Sequence, residues 1–191
     1  MSGPRLVEQV HARLGKALGE GDLALDGTLG NGHDLCFLAE GVGESGHVYG
    51  FDVQTEAIEA SRSRLQAAGL ASRATLFVAG HETLSQYLPL GVTGQLAVAM
   101  FNLGYLPGSD KRTVTRTDTT LIALTAALAA LRPAGLLSVV AYPGHDGGGD
   151  ETSAVRDWAH RQAAAGCGLN IHVPEHRRGP APHWYLITAP G

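Results

Sequence analysis

The chain has 191 residues, 44% of them hydrophobic and 17% charged, with a formal net charge of −4 at pH 7. That suffices for one folded unit with its own core and excludes an intrinsically disordered polypeptide. The acidic balance argues against gripping nucleic acid by bulk charge, no apolar stretch approaches the ~20 residues of a membrane span, and two cysteines, Cys36 and Cys167, offer neither a disulfide framework nor a zinc spacing.

Leu6, Val7, Val10, Leu14 and Leu18, spaced three to four apart behind Pro4, predict a helix within residues 1–20. The same segment lacks the apolar core of a secretory signal, so the expectation is a reduced, cytoplasmic protein. Residues 23–26 (LALD) read as a buried strand, 33–41 as a helix, 47–52 (HVYGFD) as a second strand and 55–68 as a helix. Residues 74–79 (ATLFVA) and 95–101 (QLAVAMF) read as the third and fourth strands. An Ala/Leu helix over 118–131 stops before Pro133, and 136–142 (LLSVVAY) is a fifth strand. A helix over 151–165 precedes two last strands, 169–174 and 183–189. No helix separates those two, and PAP at 180–182 marks a turn, so this end is expected to be antiparallel. The alternation predicts a single α/β domain over 1–191. It is a Rossmann-like, seven-stranded, mainly parallel sheet with an antiparallel strand near the C-terminus and helices on both faces. Ligands of such sheets bind at the carboxyl ends of the strands, near the point where strand order reverses.

LALD runs into GTLGNGHDL, Gly27 to Leu35. Gly30 and Gly32 permit positive φ and close backbone approach. The turn enters a helix whose first N–H groups point outward, which makes it a nucleotide-cofactor loop with Asn31, His33 and Asp34 at hand. A dinucleotide fingerprint wants a small residue where Leu35 stands, and a P-loop wants a following lysine that is absent. Asp52 ends the second strand in GFDVQ, placed to accept two ribose hydroxyls, with Val53 and Gln54 at the adenosine edge. Asp26, before the glycines, is placed to hold an ammonium directly or through water. S-adenosylmethionine has such an ammonium and NAD has none. Gly80-His81-Glu82, after the third strand, lies where an adenine would be contacted. Glu82 equally suits the first turn of a following helix.

FNLGYLPGSDK, Phe101 to Lys111, is expected to close the fourth strand on Asn102. Amine methyltransferases often carry Asn/Asp-Pro-Pro-Tyr/Phe at this point, and here the chain reads Asn102-Leu103-Gly104-Tyr105. The asparagine oxygen and a nearby carbonyl can accept from an N–H₂ group and aim its lone pair at a methyl donor. The phenol ring can stack on a planar base. Leu103, Gly104 and Tyr105, with Lys111, Arg112 and Arg116, form the expected acceptor side. YPGHDGGGDE (142–151) reads as a lid at the same sheet edge, with Gly144 and His145 toward the substrate. Tyr105, His145 and Asp146 are the candidate proton acceptors. Arg177 and Arg178 are expected to join Lys111, Arg112 and Arg116 around the cleft. Thr117 or Asp118 is the expected N-cap of the following helix, and Cys36 reads as a small buried residue. No metal site is expected.

DGTLGNGHDLCFLA (26–39), GFDVQ (50–54), GHE (80–82), FNLGYLPGSDK (101–111), TDTT (117–120) and YPGHDGG (142–148) together resemble one known family. This is the bacterial tRNA 5-(aminomethyl)-2-thiouridine methyltransferases, long labelled rRNA methylases. The resemblance covers nearly the whole chain, and the element order is that of a class I methyltransferase sheet. Ala79-Gly80 departs from the acidic or polar pair that the family often has before His-Glu. The resemblance implies S-adenosylmethionine as cofactor and methylation of the primary amine of an aminomethyl group on the tRNA wobble uridine. It also implies Asn102, Tyr105 and His145 as catalytic residues, and a homodimer. The residues themselves leave two other readings open. One keeps the chemistry with rRNA, protein or a small amine as acceptor, and the other is a noncatalytic S-adenosylmethionine- or nucleotide-binding module.

Overall fold

The computed structural model describes residues 5–104, 115–144, 147–174 and 180–191. In chain order its elements are α1 (Leu6–Leu14), β1 (Leu23–Asp26), α2 (His33–Gly41), β2 (His47–Asp52), α3 (Thr55–Ala67), β3 (Ala74–Val78) and α4 (Leu84–Tyr87). There follow β4 (Leu96–Leu103), α5 (Thr117–Ala130), β5 (Leu131–Ala141), α6 (Gly148–Ala164), β6 (Gly168–His172) and β7 (His183–Thr188).

Apolar side chains alternate along the strands, and each alternate set meets its own helix layer. Leu25, Phe51, Phe101, Leu137, Val139, Tyr185 and Ile187 pack with Leu84, Leu124, Val155 and Trp158 from α4, α5 and α6. Ala24, Val48, Val98, Met100, Val140 and Leu186 pack with Val10, Leu14, Leu35, Leu38, Ile58 and Leu65 from α1, α2 and α3. Covering both faces explains why the strands read as continuous apolar runs rather than as apolar–polar alternation. The two indole N–H groups taken into the layers find partners: Trp184 Nε1 donates to Ser138 Oγ at 3.0 Å and Trp158 Nε1 to Thr125 Oγ1 at 3.1 Å.

The seven strands are ordered β3-β2-β1-β4-β5-β7-β6. β7 runs antiparallel to β5 and to β6, and the other pairings are parallel. The chain builds outward from β1 to β3, then returns to place β4 on the other side of β1. The strand order therefore reverses between β1 and β4, and a crevice opens at their carboxyl ends.

Several elements differ from the sequence expectation. The first helix ends at Leu14, with Gly15 as its C-cap, so Leu18 packs from beyond the helix. β4 continues past Phe101, because Asn102 pairs with Val140 and Leu103 with Ala141. Asn102 therefore sits within the strand. β5 begins at Leu131, ahead of an irregular stretch where Leu96 pairs with Leu131 but Val98 with Leu136. Neither Thr117 nor Asp118 is the N-cap of α5; that place belongs to Arg116 in extended conformation, whose carbonyl accepts from Thr119 Oγ1 at 3.0 Å. Cys36 is half-buried against the second cluster rather than fully enclosed. Among the described residues no helix is long and apolar enough to cross a membrane.

Candidate active site

A cavity of about 1100 Å³ opens at the crevice between β1 and β4. Its walls are the turn from Gly27 to Asn31, the start of α2, the end of β2, the Gly80–Glu82 turn, Asn102 to Gly104, Tyr142 to Gly144, and Arg5, Val7, Glu8 and His11 of α1.

The glycine turn is shaped by close packing. Gly32 caps α2 at φ 76°, and a Cβ there would come within 2.8 Å of Ser61. A Cβ on Gly27 would fall 2.1 Å from the Phe101 ring. Both positions therefore exclude a side chain. The turn is held from β2: Gly30 donates its N–H to Asp52 Oδ2 at 3.0 Å, while Gln54 N–H donates to Asp52 Oδ1 at 3.0 Å. Beneath it Asp26 is fully buried, its Oδ1 accepting from Thr28 N–H at 3.1 Å and its Oδ2 meeting no partner among the described residues. Burial, then the nearby Asp34 charge, push the Asp26 carboxyl well above the usual range.

Asn102 is held in the cavity wall from both its backbone and its side chain. Its backbone N–H donates to Thr28 Oγ1 at 2.7 Å, and its Nδ2 donates to Asp34 Oδ2 at 2.5 Å. The other oxygen, Asp34 Oδ1, accepts from His11 Nε2 at 2.6 Å. A carboxylate only accepts, so Asp34 settles both assignments: Nδ2 of Asn102 faces it, and His11 carries a proton on Nε2. The His11 ring lies flat on Phe37, centroids 4.0 Å apart and planes 3° apart. Next in the chain, the Leu103 side chain is fully buried, so its contribution to the cavity wall is backbone. Its carbonyl accepts from Tyr142 N–H at 3.3 Å, and the Gly104 carbonyl accepts from Thr115 N–H at 3.0 Å.

His81 lines the cavity from the turn after β3. Nδ1 lies 3.3 Å from the Gly27 carbonyl, and the ring meets Phe101 edge-on at 5.8 Å. The carbonyl accepts only, so the proton sits on Nδ1 and leaves Nε2 as an acceptor. Burial holds the imidazole below its ordinary range and favours the neutral form. The Glu82 carboxylate curls back over Gly80, where a Cβ would sit 2.3 Å from Oε1.

The cavity thus gathers Gly30, Asn31, His33, Asp34, Asp52, Val53, Gln54, His81, Glu82, Asn102, Leu103, Gly104, Arg116 and Gly144, all expected from the sequence. Asp26 and Gly32 support its floor without lining it. Tyr105, Lys111, Arg112, His145, Asp146, Arg177 and Arg178 lie outside the described residues. Sequence reasoning missed Thr28, Tyr142 and the face of α1. Arg5, Glu8 and His11 share one helix stripe by their spacing of three, a readable signal, but nothing local says that this stripe meets Asp34.

The family model described as "Putative rRNA methylase" matches residues 48–187. An Arabidopsis thaliana protein named tRNA (mnm(5)s(2)U34)-methyltransferase, chloroplastic, is 38% identical over 175 residues, which take in 87% of this chain. The chain spans 61% of that relative's length. The crystal structure of a "putative rRNA-methylase" from Clostridium thermocellum superposes with a TM-score of 0.91 at 32% identity, covering 98% of this chain and 99% of that one. A "putative methyltransferase" from Streptococcus mutans, in complex with SAH, superposes with a TM-score of 0.86 at 29% identity and the same coverage. The fold is that of the S-adenosylmethionine-dependent methyltransferases. The chain belongs to the family described as "Putative rRNA methylase".

Proposed function

We propose that this enzyme moves the methyl group of S-adenosylmethionine to the primary amine of 5-aminomethyl-2-thiouridine at the tRNA wobble position, giving methylaminomethyl-2-thiouridine. The observation that carries the reading is the Asn102 amide. With Nδ2 committed to Asp34, its Oδ1 is turned away from that carboxylate as the acceptor for an amine N–H. The named activity of the Arabidopsis thaliana relative agrees with it.

The residues present fit the cofactor. Each Asp52 oxygen holds one backbone donor and keeps acceptor capacity for a ribose hydroxyl. Val53 and Ala79 offer apolar sides to an adenine, beside His81 and Glu82. The N-terminus of α2, with Asn31, His33 and Asp34, suits a methionyl carboxylate and ammonium. When bound, the cofactor supplies an electrophilic methyl group on a sulfonium.

The protein's own part is positioning and deprotonation. An alkylamine is largely protonated at pH 7, and a mostly apolar wall favours its neutral form. A neighbouring acceptor takes the proton. Tyr105, His145 and Asp146 remain proposed partners on the acceptor side. Once the amine is neutral, Asn102 holds its lone pair in line, and orientation supplies most of the rate. Exposed Arg5 and Arg116 at the cavity suit phosphates of an RNA loop. A homodimer would extend that surface for an anticodon arm. The wobble base lies in a single-stranded loop, so extruding it costs less than from a duplex.

The test is methyl transfer from labelled S-adenosylmethionine to two tRNA pools, one bearing aminomethyluridine and one lacking it, with rRNA as a third acceptor. Label in the first pool alone, as methylaminomethyluridine, is the expected result. Label in rRNA alone overturns the tRNA acceptor and keeps the enzyme class.

A further inference from the structure

We infer that His11 of α1 is a positioning residue for methyl transfer, acting through Asp34 on the Asn102 amide. The inference rests on the acceptor site proposed above. Three elements far apart in sequence converge here: α1 brings His11, the first turn of α2 brings Asp34, and β4 brings Asn102. The links are 2.6 Å from His11 Nε2 to Asp34 Oδ1 and 2.5 Å from Asn102 Nδ2 to Asp34 Oδ2.

The direction of the argument follows from what each group is able to do. The terminal torsions of Asp and Asn are soft and nearly two-fold, so neither side chain fixes its own head group. Asp34 is held because both oxygens carry a donor, and Asn102 is held because Asp34 is held. His11 is fixed from elsewhere. Its ring lies flat on Phe37, and its helix is anchored by Leu6, Val10 and Leu14 in the core. Removing the Nε2–H donor frees the Asp34 carboxylate to rotate. The Asn102 amide then populates the orientation that offers Nδ2, a donor, to the incoming amine. A donor facing a donor misdirects the lone pair, which costs turnover rather than cofactor binding.

His11→Phe keeps the flat ring on Phe37 and removes only the donor. His11→Gln restores a nitrogen donor near the Nε2 position. Phe37→Leu does the reverse, loosening the stack and keeping the hydrogen bond. The chain has three asparagines, Asn31, Asn102 and Asn170, so protein labelled with ¹⁵N-asparagine shows three side-chain amide pairs. The Asn102 pair is assigned by its loss in Asn102→Ser.

Each variant is compared with the parent for melting temperature, SAH affinity, kcat and KM on aminomethyl-bearing tRNA, and the Asn102 amide resonance. The expected result for His11→Phe is a parent-like melting temperature, SAH affinity within about threefold, a shifted Asn102 resonance and a kcat lower by about tenfold or more. His11→Gln recovers most of the loss, and Phe37→Leu, which keeps the donor but loosens its support, loses less than His11→Phe. An unmoved Asn102 resonance in His11→Phe overturns the inference whatever the turnover. A moved resonance with parent-like turnover overturns it too. If the parent itself transfers no methyl to aminomethyl-bearing tRNA, the acceptor reading fails. The resonance then still decides whether His11 sets the amide.

Discussion

Gly30 and Asp52 stand 22 residues apart in the chain, yet the N–H of the glycine donates to the carboxylate across 3.0 Å. One side chain therefore shapes the glycine turn and offers acceptors to the cavity. Asp52→Ala removes both effects. Two charge-assisted hydrogen bonds to backbone are lost together with any to a ribose, so affinity for S-adenosylmethionine should fall by about 10- to 100-fold. Isothermal titration with SAH measures this, and unchanged affinity would rule out the ribose role.

Asn102→Ala should separate binding from turnover. Its Nδ2 touches Asp34 rather than the turn that Asp52 holds. Cofactor affinity should stay within about threefold while kcat on the amine falls by about 100-fold, the usual cost of misplacing a reacting group. Near-normal single-turnover rates in the variant would refute the role given to this amide.

Stability should fall on mild acidification, and His81 should account for part of the fall. Burial depresses its imidazole in the folded protein, with the Gly27 carbonyl and neighbouring carboxylates opposing more weakly. The unfolded chain takes up that proton near pH 6.5 while the folded chain resists it. Stability is therefore level above about pH 6.5 and declines below it, through the folded value. Burial depresses His47 and His183 as well, so they act in the same sense. Asp26, whose carboxyl is raised, has the opposite sign, its contribution being lost as pH rises through its folded value. Urea unfolding at about pH 7.5 and about pH 5.5 should show a smaller difference for His81→Asn than for the parent. An equal difference would remove His81 from the account.

Glu151 is 3% exposed and accepts from Thr115 Oγ1 and Thr120 Oγ1, each at 2.6 Å. It ties α6 to α5 and to Thr115, two residues before that helix. Glu151→Ala should cost about 3 kcal/mol by stranding two hydroxyls and leaving a cavity. Glu151→Gln should cost about 1 kcal/mol, since an amide still accepts from one hydroxyl and can donate to the other. Equilibrium urea curves with unchanged slope would check both figures.

The sheet was largely legible in the sequence because buried parallel strands are short apolar runs with clear punctuation. Asp26, Asp52 and the glycines between them mark the first two strand ends. Boundaries went astray where tertiary pairing overrode local signals. Asn102 reads as a stop, yet pairing with Val140 keeps it in β4. Pro133 reads as the end of one element, yet Leu131 before it already pairs with Leu96. The cavity wall proposed to hold the cofactor was readable as a cluster because its groups fall in three motifs at strand ends. The His11–Asp34 link was not, because the meeting of α1 with the start of α2 is set by Leu6, Val10 and Leu14 in the core. No spacing within either helix announces that contact.

The hydrogen bond from Thr115 N–H to the Gly104 carbonyl has an evolutionary side. It holds Gly104 and Thr115, the residues that flank 105–114 in the sequence, together at the cavity wall, and Glu151 grips Thr115 again through its hydroxyl. Closing a longer span between fixed ends adds only about 0.6 kcal/mol per doubling of length. The sheet should therefore tolerate a longer or rewritten sequence between Gly104 and Thr115. Acceptor choice in such a scaffold should drift faster than cofactor choice, whose residues are built into the strand ends themselves.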